Sequence, residues 1–385
     1  MIKPSNRYAL LFPALLLAAS CGTQSNGETT EVPVEHTVAI EEVAQFNEPW
    51  AAAFLPGTQM LVVTEKAGTI KVINTTTGEI MPVSGAPEVE YAGQGGLGDI
   101  AFLESEAALT LDDPRTIYLT WAEAGDGDTR GAVMGKGSFL CSDAACSVSD
   151  LEVVWRQTPK TKKKGHYSHR IAIAPDESYL FLSSGDRQEM QPAQDKTNNL
   201  GSVLRLNLDG TPAEGNPFAD EGGVTTQIWS YGHRNLLGLA WDTDGRLWDV
   251  EHGPAGGDEL NLVKPGANYG WPERSYGDHY DGEKIEDHSD DDGFTKPAIH
   301  WTPVIAPGDM VFYDGSMFSG WKGNALIAGL SSQALVRVVI DGETATEAAR
   351  YELDGRARSI NIGPDGALWV LTDGEEGKLL KLTAE

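Results

Sequence analysis

Residues 227–271 read QIWSYGHRNLLGLAWDTDGRLWDVEHGPAGGDELNLVKPGANYGW and decide the fold prediction. Two alternating apolar runs, residues 237–241 and 246–250, flank a turn of Asp and Gly, which is the pattern of a β-hairpin. Because that turn occupies one end, the HRN segment before the hairpin and the EHGP segment after it share the other end. A guanidinium, an imidazole, carboxylates and kinked backbone meet there, which favours a functional site over a structural Arg–Glu loop pair.

The same pattern of a turn followed by an alternating strand recurs along the chain. Clear copies are residues 54–68, 173–187, 241–253 and 362–377, and weaker copies are residues 112–121 and 314–330. Their spacing fits six units of roughly 60 residues, and repeated four-stranded units are typical of a propeller. The chain carries 44 Gly and 10 Trp in 385 residues, and no long helical pattern is evident. We therefore expect an all-β, six-bladed β-propeller over residues 41–384.

The N-terminus has the features of an export signal. Lys3 and Arg7 precede an apolar run over residues 9–19, and small residues then lead to Cys21. This pattern predicts a signal peptide of the lipoprotein type over residues 1–20, with Cys21 lipidated; ordinary cleavage nearby is the alternative. Residues 21–40 are polar and predict a flexible tether. We expect an exported, membrane-anchored lipoprotein, periplasmic or on the outer surface.

Net charge and cysteine content narrow the classes of partner. The formal charge of −28 argues against nucleic acid and against docking on anionic lipid, so membrane contact would come only through the anchor. Cys141 and Cys146 alone make a poor metal site, and in an exported chain they predict a local disulfide. The acidic run over residues 286–293 is interpreted as a solvated loop, with a calcium loop as the alternative.

A candidate base lies in the segment PKTKKKGHYSHR, residues 159–170. His166 precedes, and Asp186 follows, a predicted hairpin whose turn is PDES, so the two side chains are expected at the same end. A carboxylate fixes the tautomer of a histidine and raises its basicity, as a general base requires. The alternatives are a structural histidine or His169 as the base.

Two arginines form a second candidate site. Arg356 and Arg358 in the segment GRAR point to the same side if the segment is extended. In so acidic a chain, such a pair is expected to hold an anionic partner, or else to form two surface ion pairs. Planar guanidinium groups bind carboxylates in a bidentate manner.

The motifs YGHRN, EHGPAGGDELN and NYGWP together resemble the PQQ-dependent aldose sugar and soluble glucose dehydrogenases, also called glucose/sorbosone dehydrogenases. The resemblance covers most of residues 45–384. It implies a six-bladed propeller with pyrroloquinoline quinone (PQQ) and calcium on one face, oxidising aldoses at C1 to the lactone. It also implies that His166 removes the C1 hydroxyl proton while hydride passes to calcium-bound PQQ, and that an unidentified quinone or cytochrome accepts the electrons.

The resemblance also assigns residues to roles. Catalysis is assigned to His166, Asp186 and Arg234, and PQQ binding to Arg234, Asn235, Arg356 and Arg358. Sugar binding is assigned to Gln94 and His166. One calcium is assigned to the carbonyls of Gly253 and Pro254, and a second calcium to Glu259 and Tyr269. Two departures favour the aldose branch of the family: Gly165 replaces a carboxylate, and serine near residues 330–332 replaces a lysine that binds the cofactor. The rival hypotheses are a calcium-dependent propeller lactonase and a non-catalytic binding propeller.

Overall fold

The computed structural model describes residues 36–142 and 145–385, which form an all-β chain, as predicted. The predicted signal peptide, Cys21 and most of the predicted tether lie outside the described residues. In the described part of the chain, no helix is long and apolar enough to cross a membrane.

The described residues form 26 strands, numbered in chain order. They are β1 (Val38–Phe46), β2 (Pro49–Phe54), β3 (Met60–Glu65), β4 (Thr69–Asn74), β5 (Ile80–Ser84), β6 (Leu97–Phe102), β7 (Arg115–Ala124), β8 (Arg130–Cys141), β9 (Cys146–Arg156), β10 (Ser168–Ile173), β11 (Leu180–Ser184), β12 (Ser202–Leu206), β13 (Ile228–Tyr231), β14 (Leu236–Trp241), β15 (Leu247–Glu251), β16 (Ala255–Gly256), β17 (Asp258–Leu262), β18 (Gly277–Asp278), β19 (Ile299–Trp301), β20 (Pro307–Phe312), β21 (Ala325–Gly329), β22 (Ala334–Asp341), β23 (Thr344–Glu352), β24 (Ala357–Ile362), β25 (Leu368–Thr372) and β26 (Gly377–Ala384). The helices are short 3₁₀ turns: Glu104–Ala108, Asp126–Asp128, Gln191–Gln194, Ala219–Glu221 and Gly223–Gln227.

The strands assemble into antiparallel sheets of four. Such sheets are β10 to β13, β14-β15-β17-β19, β20 to β23, and β1 with β26, β25 and β24. An eight-stranded sheet combines β2 to β5 with β6 to β9 through a short parallel contact between β5 and β9, and β16 pairs with β18. Because β1 pairs with β26, residues 38–40, which were predicted to be part of the tether, belong to the last sheet.

Burial changes from the inner to the outer strands of a sheet. Every residue of β25 (LWVLT) is buried, because side chains on both of its faces pack against neighbouring sheets. The outer strand β23 (TATEAARYE) instead alternates exposed and half-buried residues. Apolar side chains such as those of Trp248 and Trp321 fill the space between sheets, so the core is a series of layers between them.

The first strands of the sheets form a closed ring. Each of β2, β6, β10, β14, β20 and β24 contacts the next, and β24 contacts β2. A cavity of about 340 Å³ is lined by residues from all of these strands. Arg170 crosses the ring: it donates to the carbonyls of Leu237 (2.8 Å) and Gly308 (2.6 Å), and it pairs with Asp99 (3.0 Å).

The sequence repeats have a common place in this architecture, because each coincides with the turn between the first and second strands of a sheet. The loops before the first strands and the loops after the second strands therefore gather at the opposite end of the sheets, which we call the entry rim. The disulfide between Cys141 and Cys146 lies elsewhere, where it joins β8 to β9 with Cα atoms 4.0 Å apart.

Candidate functional site

The HRN and EHGP segments meet at the entry rim, as the hairpin predicted. Glu251 accepts hydrogen bonds from the backbone N–H of Arg234 (2.6 Å) and from Nδ1 of His233 (3.0 Å). The backbone N–H of His252 donates to the carbonyl of Asn235 at 3.0 Å. The two segments are thus fastened by a buried carboxylate and by a backbone hydrogen bond.

The structure brings His166 and Asp186 together on the same rim. Nδ1 of His166 lies 2.7 Å from Oδ1 of Asp186, whose side chain is fully buried. The same carboxylate oxygen accepts the backbone N–H of Gln188 at 2.7 Å, and the Asp186 N–H donates to the carbonyl of Arg234 at 2.9 Å. His166 itself has a φ of 50°, which its neighbours must maintain.

Electrostatics favour a neutral imidazole facing an ionised carboxylate. Burial lowers the pKa of His166, more than Asp186 raises it, and the guanidinium groups of Arg234 and Arg187 lower it further. Burial raises the pKa of Asp186, but the bond from His166 and the nearby charges outweigh burial, so the net shift is downward. A neutral imidazole whose Nδ1–H faces a carboxylate keeps a lone pair on Nε2.

His169, the competing candidate base, has different surroundings. Its Nδ1 lies 2.7 Å from the hydroxyl of Thr120, and its ring stacks on Trp50 with centroids 4.8 Å apart. It is buried, and burial lowers its pKa to about 3. With a hydroxyl in place of a carboxylate partner, His169 fits the part of a general base less well than His166.

Gln94 contacts the loop that carries His166. Its side-chain carbonyl accepts the backbone N–H of His166 at 2.7 Å, and its own backbone N–H donates to the carbonyl of Lys164 at 2.7 Å. A Cβ at the next residue, Gly165, would lie 2.6 Å from Cδ of Gln188, so a side chain there would require the side chain of Gln188 to move.

Arg234 is a buried guanidinium with unused hydrogen-bonding capacity. Its Nη1 donates to the carbonyl of His252 at 3.1 Å, and its Nη2 lies 3.3 Å from the hydroxyl of Tyr280. Its Nε is buried and has no partner among the described residues. A buried N–H without an acceptor is costly, so this group is suited to a ligand that supplies an oxygen.

A cavity of about 320 Å³ on the entry rim, which we call the rim cavity, joins several predicted residues. Its lining includes Gln94, His169, Asn235, Arg356, Arg358 and Asp373. This volume is in the range of small-molecule sites. The rim cavity therefore brings together two of the three predicted cofactor arginines, Arg356 and Arg358, with Asn235 and Gln94, whereas Arg234 and His166 are not among its lining residues.

Both arginines of the GRAR segment pair with a single carboxylate. The Nε atoms of Arg356 and Arg358 each lie 3.3 Å from an oxygen of Asp373. Burial lowers the pKa of Arg358, and the side chain of Arg356 is 49 % exposed. One carboxylate cannot neutralise two guanidinium groups, so this wall of the cavity keeps a net positive charge suited to an anionic ligand.

The EHGP loop is braced by Asp258. Its carboxylate oxygens accept the backbone N–H groups of Gly253 (2.9 Å) and Ala306 (2.6 Å), and burial raises its pKa to about 6. Gly253 and Pro254 line an open cavity of about 590 Å³ that shares His252 with the rim cavity. The backbone of Gly253 and Pro254 beside the Asp258 carboxylate supplies oxygen atoms of the type that calcium prefers.

The predicted second calcium residues, Glu259 and Tyr269, line a small cavity that shares His252 with the rim cavity. Its volume is about 10 Å³, close to what one water or ion needs, and Glu251 also lines it. Burial, followed by the charge of Glu251, raises the pKa of Glu259 well above its usual range. Two buried carboxylates favour a cation between them, and the guanidinium groups of Arg234 and Arg274, which also line this cavity, supply part of that positive charge.

Sequence reasoning missed several residues of the rim. Trp271 donates its indole N–H to Asp186, Tyr280 contacts Arg234, and Nε2 of His252 donates to the carbonyl of Pro307 at 2.7 Å. Arg187 donates to the carbonyls of Gly165 (2.9 Å) and Lys163 (2.6 Å), on the loop before His166. Trp271 belongs to the motif NYGWP, whereas Arg187 carries no signal beyond its position after Asp186.

Comparison with known proteins yields one consistent family. The family model for "Glucose / Sorbosone dehydrogenase" matches residues 46–381. The aldose sugar dehydrogenase YliI of Escherichia coli (strain K12) is 35 % identical over 353 residues, covering 90 % of this chain and 93 % of the relative. Quinoprotein glucose dehydrogenase B of Acinetobacter calcoaceticus is 26 % identical, covering 86 % of this chain and 84 % of the relative.

Solved structures agree with the family model. The apo-form of the soluble aldose sugar dehydrogenase from Escherichia coli superposes with a TM-score of 0.83 at 35 % identity, over 91 % of this chain and 100 % of that chain. The PQQ-bound aldose sugar dehydrogenase from Streptomyces coelicolor gives 0.71 at 28 % identity, over 91 % of this chain and 99 % of that chain. Fold, rim geometry and sequence thus lead to one conclusion: the chain belongs to the glucose/sorbosone dehydrogenase family.

Proposed function

We propose that this sugar dehydrogenase oxidises aldoses at C1 to the lactone, with PQQ and calcium bound at the entry rim. The observation that carries the proposal is the convergence of a His–Asp pair and three guanidinium groups around one rim. The relatives support the cofactor, since one is a quinoprotein by name and another is solved in a PQQ-bound form.

In this proposal, His166 takes the proton of the C1 hydroxyl. Asp186 holds Nδ1–H, which leaves Nε2 as the accepting atom, and the lowered pKa of His166 keeps the imidazole neutral and ready. The side-chain carbonyl of Gln94 accepts the backbone N–H of His166 and so holds the loop that carries His166. Its second proposed role, contact with the sugar, uses its position on the wall of the rim cavity.

PQQ, when bound, supplies the acceptor for the electron pair and the hydrogen of C1. Its carboxylates match the positive wall formed by Arg356 and Arg358. Asn235 lines the same cavity, and Arg234 offers its unpartnered N–H. A fixed guanidinium stabilises negative charge that develops on a nearby oxygen without costly reorganisation.

Calcium is proposed at the carbonyls of Gly253 and Pro254, where it would add positive charge beside Arg234. A second ion is proposed between Glu251 and Glu259, near Tyr269, where it would relieve the repulsion of two buried carboxylates. The first ion would serve the reaction and the second the fold.

The propeller is proposed to have six blades. The eight-stranded sheet divides into two meanders of four strands, β2 to β5 and β6 to β9, each like the remaining sheets. With that division, each first strand of the closed ring begins one blade. Export and a lipid anchor at Cys21, with a quinone or cytochrome as the acceptor, complete the proposal and rest on the sequence alone.

The proposal is tested by reconstitution. Protein stripped with a chelator is assayed for reduction of a dye by aldoses with no addition, PQQ alone, calcium alone, or both. We expect dye reduction only when both are added, because the two ligands share the rim and each raises the affinity of the other. Calcium alone restoring lactone hydrolysis, with no sugar ever reducing the dye, would establish the rival lactonase instead.

A further inference from the structure

We propose that Trp271 is a positioning residue for the His166–Asp186 pair, fixing the second oxygen of Asp186 through its indole N–H. The inference deepens the proposed function and rests on it. Nε1 of Trp271 lies 2.8 Å from Oδ2 of Asp186, across 85 residues of sequence. Oδ1 is already taken by His166 and by the N–H of Gln188.

The indole N–H is the only donor on Oδ2 among the described residues. Because Asp186 is fully buried, removing that donor would leave a carboxylate oxygen without either water or protein partner. The carboxylate would then be free to rotate toward a new donor. With all three donors present, the plane of the carboxylate is fixed, and so is the ring that it holds.

Trp271 also contacts the other half of the site. Its ring lies 5.1 Å from the guanidinium carbon of Arg234, within the range of a cation–π contact. The backbone of Trp271 is itself held in place: its backbone N–H donates to the carbonyl of Gly232 at 2.9 Å, and its backbone carbonyl accepts from Nε2 of Gln194 at 2.7 Å. One buried side chain therefore contacts both the carboxylate that holds the base and the guanidinium of Arg234.

The hydrogen bond from Trp271 to Asp186 should also determine how strongly Asp186 stabilises the protonated form of His166. The charged groups that interact with His166 are Asp186, Arg234 and Arg187, and those that interact with Asp186 are His166, Arg234 and Arg187. The indole N–H draws negative charge toward Oδ2. Without it, Oδ1 becomes the stronger acceptor, the imidazolium gains stability, and the pKa of His166 rises.

The test is Trp271→Phe, which keeps an aromatic ring and removes the N–H. Trp248→Phe is the matched control, because Trp248 is also buried and donates its indole N–H to a carboxylate, Asp242, at 2.8 Å. In reconstituted enzyme we expect kcat to fall about tenfold in Trp271→Phe alone, the effect of losing a hydrogen bond to a charged group. The acid limb of kcat/KM should move to higher pH, since protonation of the base abolishes activity.

The second readout needs no cofactor. In the NMR spectrum of cofactor-free wild-type protein, the indole resonance of Trp271 should titrate together with the imidazole of His166, because both report on Asp186. A flat indole resonance, or a Trp271→Phe enzyme whose pH profile matches Trp248→Phe, would overturn the inference. A wild type without aldose oxidation would instead refute the proposed function, while the NMR titration still decides the role of Trp271.

Discussion

At the scale of single residues, the site depends on partners that are far apart in sequence. Asp186 accepts hydrogen bonds from His166, 20 residues away, and from Trp271, 85 residues away. The pairing of His166 with Asp186 could be predicted, because both flank one hairpin. The contact of Trp271 could not, because it depends on how neighbouring sheets pack and no local pattern encodes that.

Replacing His166 with Ala tests the base directly. Turnover at saturating PQQ and calcium should fall by about 10²–10⁴-fold, the usual cost of losing a general base, while PQQ still binds. His169→Asn is the comparison, and it should retain far more turnover because Thr120, and no carboxylate, partners His169. Stopped-flow reduction of the bound cofactor is the measurement. The opposite ranking of the two variants would assign the base to His169.

At the scale of structural elements, the turns and hairpins were the most predictable part of the chain. Each sequence repeat coincides with a turn between first and second strands, because Asp, Pro and Gly favour those backbone conformations. The parallel contact of β5 with β9 had no such signal. It joins two outer strands that are far apart in sequence, so only the assembled sheets determine it.

The two arginines at the start of β24 carry the prediction at this scale. Arg358→Ala should weaken PQQ binding by at least about tenfold, and Arg356→Ala by less, because the side chain of Arg358 is 14 % exposed and that of Arg356 is 49 % exposed. Titration of cofactor-free protein with PQQ gives the affinities. Arg350→Ala is the control, since Arg350 forms an exposed pair with Glu347 on β23. Affinities that match this control for both variants would remove β24 from the cofactor site.

At the scale of the whole molecule, the ring of first strands positions every loop of the entry rim. Arg170 contacts β6, β14 and β20 directly and stacks 4.2 Å over the ring of Trp50 on β2. Asp309, 3.6 Å from Arg170, accepts the hydroxyl of Ser359 on β24. A buried cation that links all of these strands explains why loops distant in sequence keep fixed distances at the rim. The sequence indicated the repeats but not this central residue.

The central claim is that the assembled rim removes hydrogen from C1 of an aldose. The most direct measurement is turnover, by protein reconstituted with PQQ and calcium, of an aldose carrying deuterium at C1. The account predicts a lactone that has lost the deuterium, formed more slowly than from the unlabelled sugar because the C1–H bond breaks in the reaction. A product that retains deuterium at C1, formed at the same rate as from the unlabelled sugar, would contradict it.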